Sequence, residues 1–98
     1  MKKQYAFLLM GSHYNPDTHR CRFETDRDIV HFRTVRDFAE AKAAAVELKD
    51  AGVGAIEVCG AFGPDMAAEL AAITNKEVAI GYVVHDSELD GLFARFFG

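Results

Sequence analysis

One short segment of the chain combines residue types that can bind or react with a ligand. It spans residues 59–65 and reads Cys-Gly-Ala-Phe-Gly-Pro-Asp. Gly60 and Gly63 allow the backbone to approach a ligand closely, and Pro64 favours the first turn of a helix, whose free amides and dipole attract anions. The segment therefore predicts a site for a phosphate or a carboxylate. The ordinary alternative is a glycine turn that only joins a strand to a helix.

A thiol reaction is the second chemistry that this segment allows. Cys59 directly precedes the predicted helix, and a helix N-terminus stabilises a thiolate. His13 and His85 are the candidate bases, provided that the strand ends carrying them are adjacent. The alternative is an inert cysteine, since cysteine is among the residues most often buried. The catalytic candidates are thus Cys59, His13 and His85.

Further candidate ligand contacts follow the strands at the same edge. Ligands of open parallel α/β sheets bind beyond the carboxyl ends of the strands. The residues predicted to contact a ligand there are Ser12, Gly60, Phe62, Gly63 and Asp86. The four histidines lack metal-ligand spacing, so no metal site is predicted, although a grouping of His13, His85 and Asp86 stays open. Neither a P-loop nor a GxGxxG segment occurs, so no cofactor is predicted.

Hydrophobic spacing indicates the elements that must position these residues. An uninterrupted apolar run over 5–10 predicts a buried strand, and the alternating segments 21–25 and 28–35 predict a β-hairpin. There follow a helix capped by Asp37 and ended by Gly52, a strand over 54–59, a helix to about 74, a strand over 78–84 and a C-terminal helix. Residues 1–98 are therefore predicted to form a single α/β domain. Its five-stranded sheet is mixed but mainly parallel and contains a βαβαβ unit, while the placement of the first two strands stays open.

Alternation along the strands predicts two different sheet faces. Ile56 and Val58 should lie on the face that the helices cover, whereas Glu57 points the other way. Burying an unpaired carboxylate is costly. Glu57 is therefore expected to meet solvent, a second subunit, or the basic side chains of His31 and Arg33.

The C-terminal sequence LFARFF, residues 92–97, carries more apolar surface than a short helix can leave in water. It can dock on the open sheet face of its own domain or on the same surface of a neighbouring copy, and both alternatives stay open. The predicted protein partner is accordingly a second copy of the chain, in a homodimer or a higher homo-oligomer.

Composition restricts the partners and the compartment. The chain has 98 residues, of which half are hydrophobic, and its 11 basic and 15 acidic residues give a net charge of −4. This balance gives no reason to bind nucleic acid or an anionic membrane. No segment has the length of a membrane span or the pattern of a secretion signal, and two cysteines without CxxC spacing fit a reducing compartment. We expect a soluble cytoplasmic protein.

Three stretches carry a resemblance to a known family. They are GAIEVCGAFGPDMAAEL, the preceding helix FAEAKAAAVELKDAG and the early segment PDTHRCRFET. Together they resemble a family of small bacterial proteins classed as a domain of unknown function, with Glu57–Gly63 as the most distinctive part. The resemblance implies a compact one-domain α/β protein and no particular activity. A weaker similarity, to strand-and-loop units of phosphate-binding β/α barrels, implies anion binding near Gly60 and Gly63.

These observations do not identify a reaction, and they leave open whether the protein is an enzyme. The leading interpretation is a homo-oligomeric domain that binds a small anionic molecule. The first alternative is a small enzyme using Cys59 with His13 or His85. The second is a structural protein whose exposed sheet face and terminal aromatic residues serve assembly.

Overall fold

The structure is a computed structural model that describes residues 1–98. The strands are β1 (Lys3–Met10), β2 (Cys21–Glu24), β3 (Asp28–Val35), β4 (Ala55–Val58) and β5 (Ala79–Tyr82). The helices are α1 (Phe38–Asp50), α2 (Gly63–Ile73) and α3 (Asp90–Phe97), the last preceded by a short 3₁₀ turn over Ser87–Leu89. None of the helices has the length and apolar composition needed to cross a membrane.

All five strands form one sheet in the order β2-β3-β1-β4-β5. Every neighbouring pair is parallel except β2 and β3, which form the antiparallel hairpin at one edge. The predicted fold class, a mainly parallel mixed sheet with a βαβαβ unit, is confirmed. The long apolar strand β1 lies at the centre of the sheet, which settles the placement that its sequence left open.

A side-chain cap and a glycine explain where helix α1 begins and ends. The Asp37 carboxylate accepts a hydrogen bond from the Glu40 amide at 2.9 Å and caps the first turn. The Glu40 carboxylate turns back to the amide of Arg36 at 2.7 Å, one residue earlier than in the usual capping box. At the other end Gly52 adopts a φ of 102°, which a residue with a Cβ rarely does, and the chain leaves the helix there.

The hydrophobic core lies between the sheet and the helices α1 and α2. Ile56 and Val58 of β4 are fully buried in it together with Ala6 and Leu8 of β1, as their alternation predicts. Helix α1 contributes Ala41, Ala44, Ala45 and Leu48 to the core, α2 contributes Leu70, and Phe62 joins them from the position before α2. Because α1 contributes mainly alanines to this layer, it can pack close to the strands beneath it.

Of the alternatives expected for Glu57, exposure to solvent is observed and a meeting with the basic side chains of His31 and Arg33 is excluded. Ala6 is in register with His31 on one side and with Ile56 on the other, so His31 and Arg33 lie on the face that the helices cover. Glu57 lies on the opposite face and is exposed to solvent. The insertion of β1 between β3 and β4 sets this register, and alternation within each strand could not reveal it.

The sheet face opposite the helices is called the open face here, because no helix of the chain covers it. The side chains on it include Tyr5, Phe7, Cys21, Phe23, Val30, Phe32 and Glu57, with Ala55, Ala79 and Gly81 at the β5 edge. Three of its phenylalanines form a row. The rings of Phe23 and Phe32 are 6.4 Å apart and those of Phe32 and Phe7 are 6.3 Å apart.

The end of the chain leaves the domain after β5. Strand β5 ends at Tyr82, two residues earlier than predicted, and all residues from Tyr82 to Gly98 are exposed. Residues 83–98 are called the C-terminal arm. The predicted terminal helix is present in it as α3, which packs against the turn before it and covers no part of the open face.

Candidate functional site

The carboxyl ends of β1, β4 and β5 lie side by side at one edge of the sheet. Cys59 follows β4 and its amide donates to the carbonyl of Leu8 at 3.1 Å, while the amide of Val83 donates to the carbonyl of Val58 at 3.0 Å. The parallel pairing of β4 and β5, on which the predicted strand-edge site depends, is therefore present. This edge brings the residues after Met10, after Val58 and after Tyr82 together.

Cys59 is half-buried at this edge. Its Sγ atom accepts a hydrogen bond from the backbone amide of Met10 at 3.4 Å, and its side chain packs against the hydrophobic core. One hydrogen bond and core packing therefore hold the sulfur in a defined position at the strand edge.

The two candidate histidines are each engaged with nearby residues of their own segments. The His13 ring lies against Tyr14 at a tilt of 35°, with ring centroids 4.2 Å apart, and it lies over Gly11, where a Cβ atom would come within 2.8 Å of His13 Cε1. His85 lies in the C-terminal arm, with Nε2 2.6 Å from Asp90 Oδ1 and its ring stacked on Phe93 at 3.9 Å. Neither histidine hydrogen-bonds to Cys59, whose sulfur contacts the Met10 amide.

The predicted ligand contacts have varied positions. Phe62 is buried and packs edge-to-face on Phe38 at 6.4 Å, so its ring belongs to the core. Gly63 begins α2 with a φ of 68°, which explains the glycine there. The Asp86 carboxylate accepts from the Glu88 amide at 3.0 Å and caps the turn before α3. Ser12 and Gly60 are accessible at the strand edge.

A metal grouping of His13, His85 and Asp86 is not formed. No group of three or more histidine, cysteine, aspartate or glutamate side chains lies close enough together to hold a metal ion. His85 and Asp86 are exposed and make their contacts within the arm, with Asp90 and the Glu88 amide.

A second cluster, which the sequence reasoning missed, lies beside the hairpin on the helix-covered side of the sheet. A groove of about 360 Å³ runs between the β2–β3 edge and the C-terminal half of α1, and it is called the arginine groove here. Its lining on that side of the sheet consists of Arg20, Arg22, His31, Arg33, Glu47, Leu48 and Ala51, and Cys21 of the edge strand β2 borders it. The cluster forms because Arg22 is paired with His31 across the hairpin, and Arg33 lies two residues further along the same face.

Arg33 is the innermost of the three arginines and is nearly buried. Its Nη2 donates to the Glu47 carboxylate at 3.2 Å, whereas its Nε is buried without a hydrogen-bond acceptor. Arg22 lies 3.4 Å from Glu24, and the Glu24 carboxylate is also bound by Lys2 at 2.6 Å. The hydrogen bond from Lys2 is the main reason why the pKa of Glu24 is lowered. The acidic residues thus neutralise the groove only in part.

His31 occupies the groove as a neutral imidazole with a defined tautomer. The side-chain amide nitrogen of Gln4 donates to the carbonyl of Ala51 at 3.0 Å, so its Oε1 faces His31 Nε2 as an acceptor at 2.9 Å. His31 must therefore carry its hydrogen on Nε2. Burial lowers the pKa of His31, and the positive charges of Arg22, Arg33 and Arg20 lower it further.

The sequence contained one indication of this groove, the two-residue spacing of basic side chains along the two strands of the hairpin. Arg20 and Arg22, and likewise His31 and Arg33, are two residues apart on the strands of the hairpin. Period two places each pair on one face. What it could not indicate is that α1 stops short of the hairpin edge, which turns these side chains into the wall of a groove.

Comparison with protein families gives a match over nearly the whole chain. The model described as "Family of unknown function (DUF6506)" matches residues 3–98. The chain therefore belongs to this family, in agreement with the resemblance in its strand and helix segments. No curated protein and no solved structure matches it.

Proposed function

We propose that this member of a family of unknown function is a binding domain for a small anionic molecule, which the arginine groove holds by its phosphate or carboxylate group. The observation that carries the proposal is the convergence of Arg20, Arg22 and Arg33 on one groove in a chain with a net charge of −4. Three like charges at one place repel one another. An anion among them removes that repulsion and satisfies their donors.

The free donors in the groove support this assignment. Arg20 takes part in none of the ion pairs of the chain, and Arg33 retains an unpaired Nε–H beside its contact with Glu47. A guanidinium group offers five N–H donors in a planar fork that matches a carboxylate or a phosphate. Donors are therefore left over for a ligand after the internal contacts have been made.

The size and wall chemistry of the groove indicate a small molecule. A volume of about 360 Å³ lies near the lower end of ligand sites, which hold roughly 300–1,000 Å³. Leu48 and Ala51 give the α1 side of the groove an apolar wall. A ligand with one anionic group and a short apolar body fits both features.

Titration calorimetry with inorganic phosphate, pyrophosphate and short carboxylates tests the proposal. The variants are Arg22→Gln and Arg33→Gln, and Arg27→Gln is the matched control because Arg27 lies in the hairpin turn outside the groove lining. A charge-assisted hydrogen bond is worth about 1.5–3 kcal/mol, so each groove variant should raise the Kd at least roughly tenfold. The control should leave the Kd nearly unchanged.

Two results would contradict the anion site. One is the absence of binding by any of these compounds at millimolar concentration. The other is an equal loss of affinity in Arg27→Gln, which would show that binding follows net charge and not the groove. Both measurements should be made at low and at physiological salt, because screening weakens exposed charges most.

A thiol function at Cys59 is the second candidate, and the Met10 amide that donates to its sulfur favours it. His13 is the better placed base, since its ring lies over Gly11, the residue that follows Met10. His85 is already engaged by Asp90 and Phe93. The anion site predicted at this strand edge, with Ser12 and Gly60, stays a prediction.

Alkylation kinetics test the thiol function. Iodoacetamide should modify Cys59 faster than it modifies glutathione at the same pH, and His13→Gln should slow the reaction. Cys21→Ser is used as the background throughout, because Cys21 is a second free and exposed thiol. A rate equal to that of glutathione, unchanged by His13→Gln, would remove this candidate.

A further inference from the structure

The C-terminal arm exposes an apolar helix face that nothing in its own chain covers. Leu89, Leu92, Phe93 and Phe96 recur at the spacing of one helix face. The exposed fractions are 44% for Leu89, 56% for Leu92, 39% for Phe93, 82% for Phe96 and 77% for Phe97. A folded chain in water does not retain such a surface without a partner for it.

The open face offers a surface of matching character. Its row of Phe23, Phe32 and Phe7 is apolar, and Phe23 and Phe32 are exposed. Beside the row, burial and the Glu57 carboxylate raise the pKa of Tyr5, so this phenol stays neutral. Gly81 and its neighbours at the β5 edge lack bulk, and they leave room for a helix.

We propose that the arm of one copy packs α3 on the open face of a second copy, and that the exchange is reciprocal, giving a symmetric homodimer. This inference is independent of the anion site, which lies on the other side of the sheet. A reciprocal exchange removes both exposed surfaces in each copy. It also leaves no free copy of either surface, so the assembly stops at two chains.

The direction of the arm favours a second copy over closure within one chain. The hydrogen bond from the Val83 amide to Val58 holds the start of the arm at the edge strand. From there every residue of the arm is exposed and α3 packs on the turn before it, so the arm does not fold back over its own sheet. The molecule is elongated, measuring 43 Å in its longest dimension against 26 and 24 Å in the others.

The surface area is sufficient for a stable dimer. At the exposed fractions given above, the three phenylalanines and two leucines present roughly 500 Å² of side-chain surface, since one aromatic side chain carries about 150–250 Å². Two arms and the two faces that they cover then bury about 2,000 Å². Stable interfaces bury about 1,200–2,000 Å².

The charge of the arm also restricts its partner. Arg95 is the only basic side chain of the arm apart from His85, and it lies outside the apolar face of α3. The arm itself is acidic overall, with Asp86, Glu88 and Asp90, which argues against an anionic lipid surface as its partner.

Sedimentation equilibrium of the full chain tests the dimer. The wild type should have twice the 10.8 kDa mass of one chain. The double variant Phe96→Ser with Phe97→Ser, and separately Phe32→Ser, should sediment as monomers. Ile73→Ser is the matched control, because Ile73 is an exposed apolar residue of α2 that belongs to neither surface, and it should remain dimeric. Circular dichroism verifies that each variant is folded.

Cross-linking separates exchange from closure within one chain. Cys21 lies on the open face in register with Phe32, and an Ala94→Cys variant adds a thiol to the arm outside its apolar face, where it does not replace a packing side chain. A bismaleimide should then produce a species of twice the chain mass, and the wild type, which has alanine at this position of the arm, is the control. Four results would each overturn the proposal. They are linkage within a single chain, a monomeric wild type, an open-ended series of oligomers, and binding of a monomer to phosphatidylcholine–phosphatidylglycerol vesicles.

Discussion

His31 Nε2 lies 2.9 Å from Gln4 Oε1, and this contact connects the arginine groove to the end of α1, because the same Gln4 side chain donates to the carbonyl of Ala51. The imidazole is thereby held as one tautomer next to three guanidinium groups. Charge in the groove, the protonation of His31 and the end of α1 are thus physically coupled.

Protonation of His31 should destabilise the fold. Its folded pKa is lowered by burial and by neighbouring arginines, whereas an unfolded histidine titrates near pH 6.5. The unfolded state therefore binds the proton first as the pH falls. The free energy of unfolding should be unaffected above about pH 7.5 and should decline below about pH 6.5. Urea unfolding of wild type and His31→Gln between pH 8 and 5 measures this, and an identical pH dependence in both proteins would contradict it.

Removing the acidic residue of the groove should strengthen anion binding. In Glu47→Gln the guanidinium of Arg33 loses its carboxylate partner and the groove gains one unit of positive charge. Phosphate or carboxylate should then bind several-fold more tightly in calorimetry. Glu77→Gln is the control, because Glu77 forms an ion pair with Lys49 and does not line the groove. Weaker binding by Glu47→Gln would mean that Glu47 itself positions the ligand.

Loss of the helix cap should lower stability without changing the fold. Asp37→Ala removes the acceptor for the Glu40 amide and should cost about 1 kcal/mol. For a domain of this size that corresponds to a decrease of roughly 4–8 °C in Tm. Asp50→Ala, at the C-terminal end of the same helix, is the control and should not lower the Tm, since a carboxylate there opposes the helix dipole. An equal decrease in both variants would argue against the cap.

A side chain at Gly52 should damage both α1 and the groove. Gly52 has a φ of 102°, and a Cβ atom there would lie 3.0 Å from Gln4 Nε2. Gly52→Ala should therefore cost about 1–3 kcal/mol in backbone strain and should displace the amide that orients His31. Gly54→Ala has open space around its Cβ and is the control. The measurements are the Tm and the NMR titration of His31, which should shift only in Gly52→Ala.

Much of the fold follows from local pattern. The cap at Asp37, the stop at Gly52 and the alternation of Ile56 and Val58 are short-range features, and the structure contains each of them. The residues at the carboxyl ends of the strands could also be located from local sequence, because a residue that follows a parallel strand lies at the end of the sheet where ligands bind. Their interactions could not be derived, because His85 and Asp86 belong to an arm that leaves the domain.

The register of the sheet could not be predicted from local sequence patterns. A position near His31 and Arg33 was one of the alternatives expected for Glu57, and the insertion of β1 placed them on opposite faces. Strand pairing joins residues far apart in the chain, and its free energy depends on packing that no single segment contains.

The sequence by itself determined the type and order of the elements, since hydrophobic period, caps and glycine positions act over only a few residues. It also determined membership of the family. Only the tertiary structure decided that three arginines and a histidine line one groove, and that the last sixteen residues lie apart from the domain. Both are consequences of long-range packing, which brings Arg20 and Arg33 together across the hairpin and leaves Phe96 with nothing in its own chain to cover it.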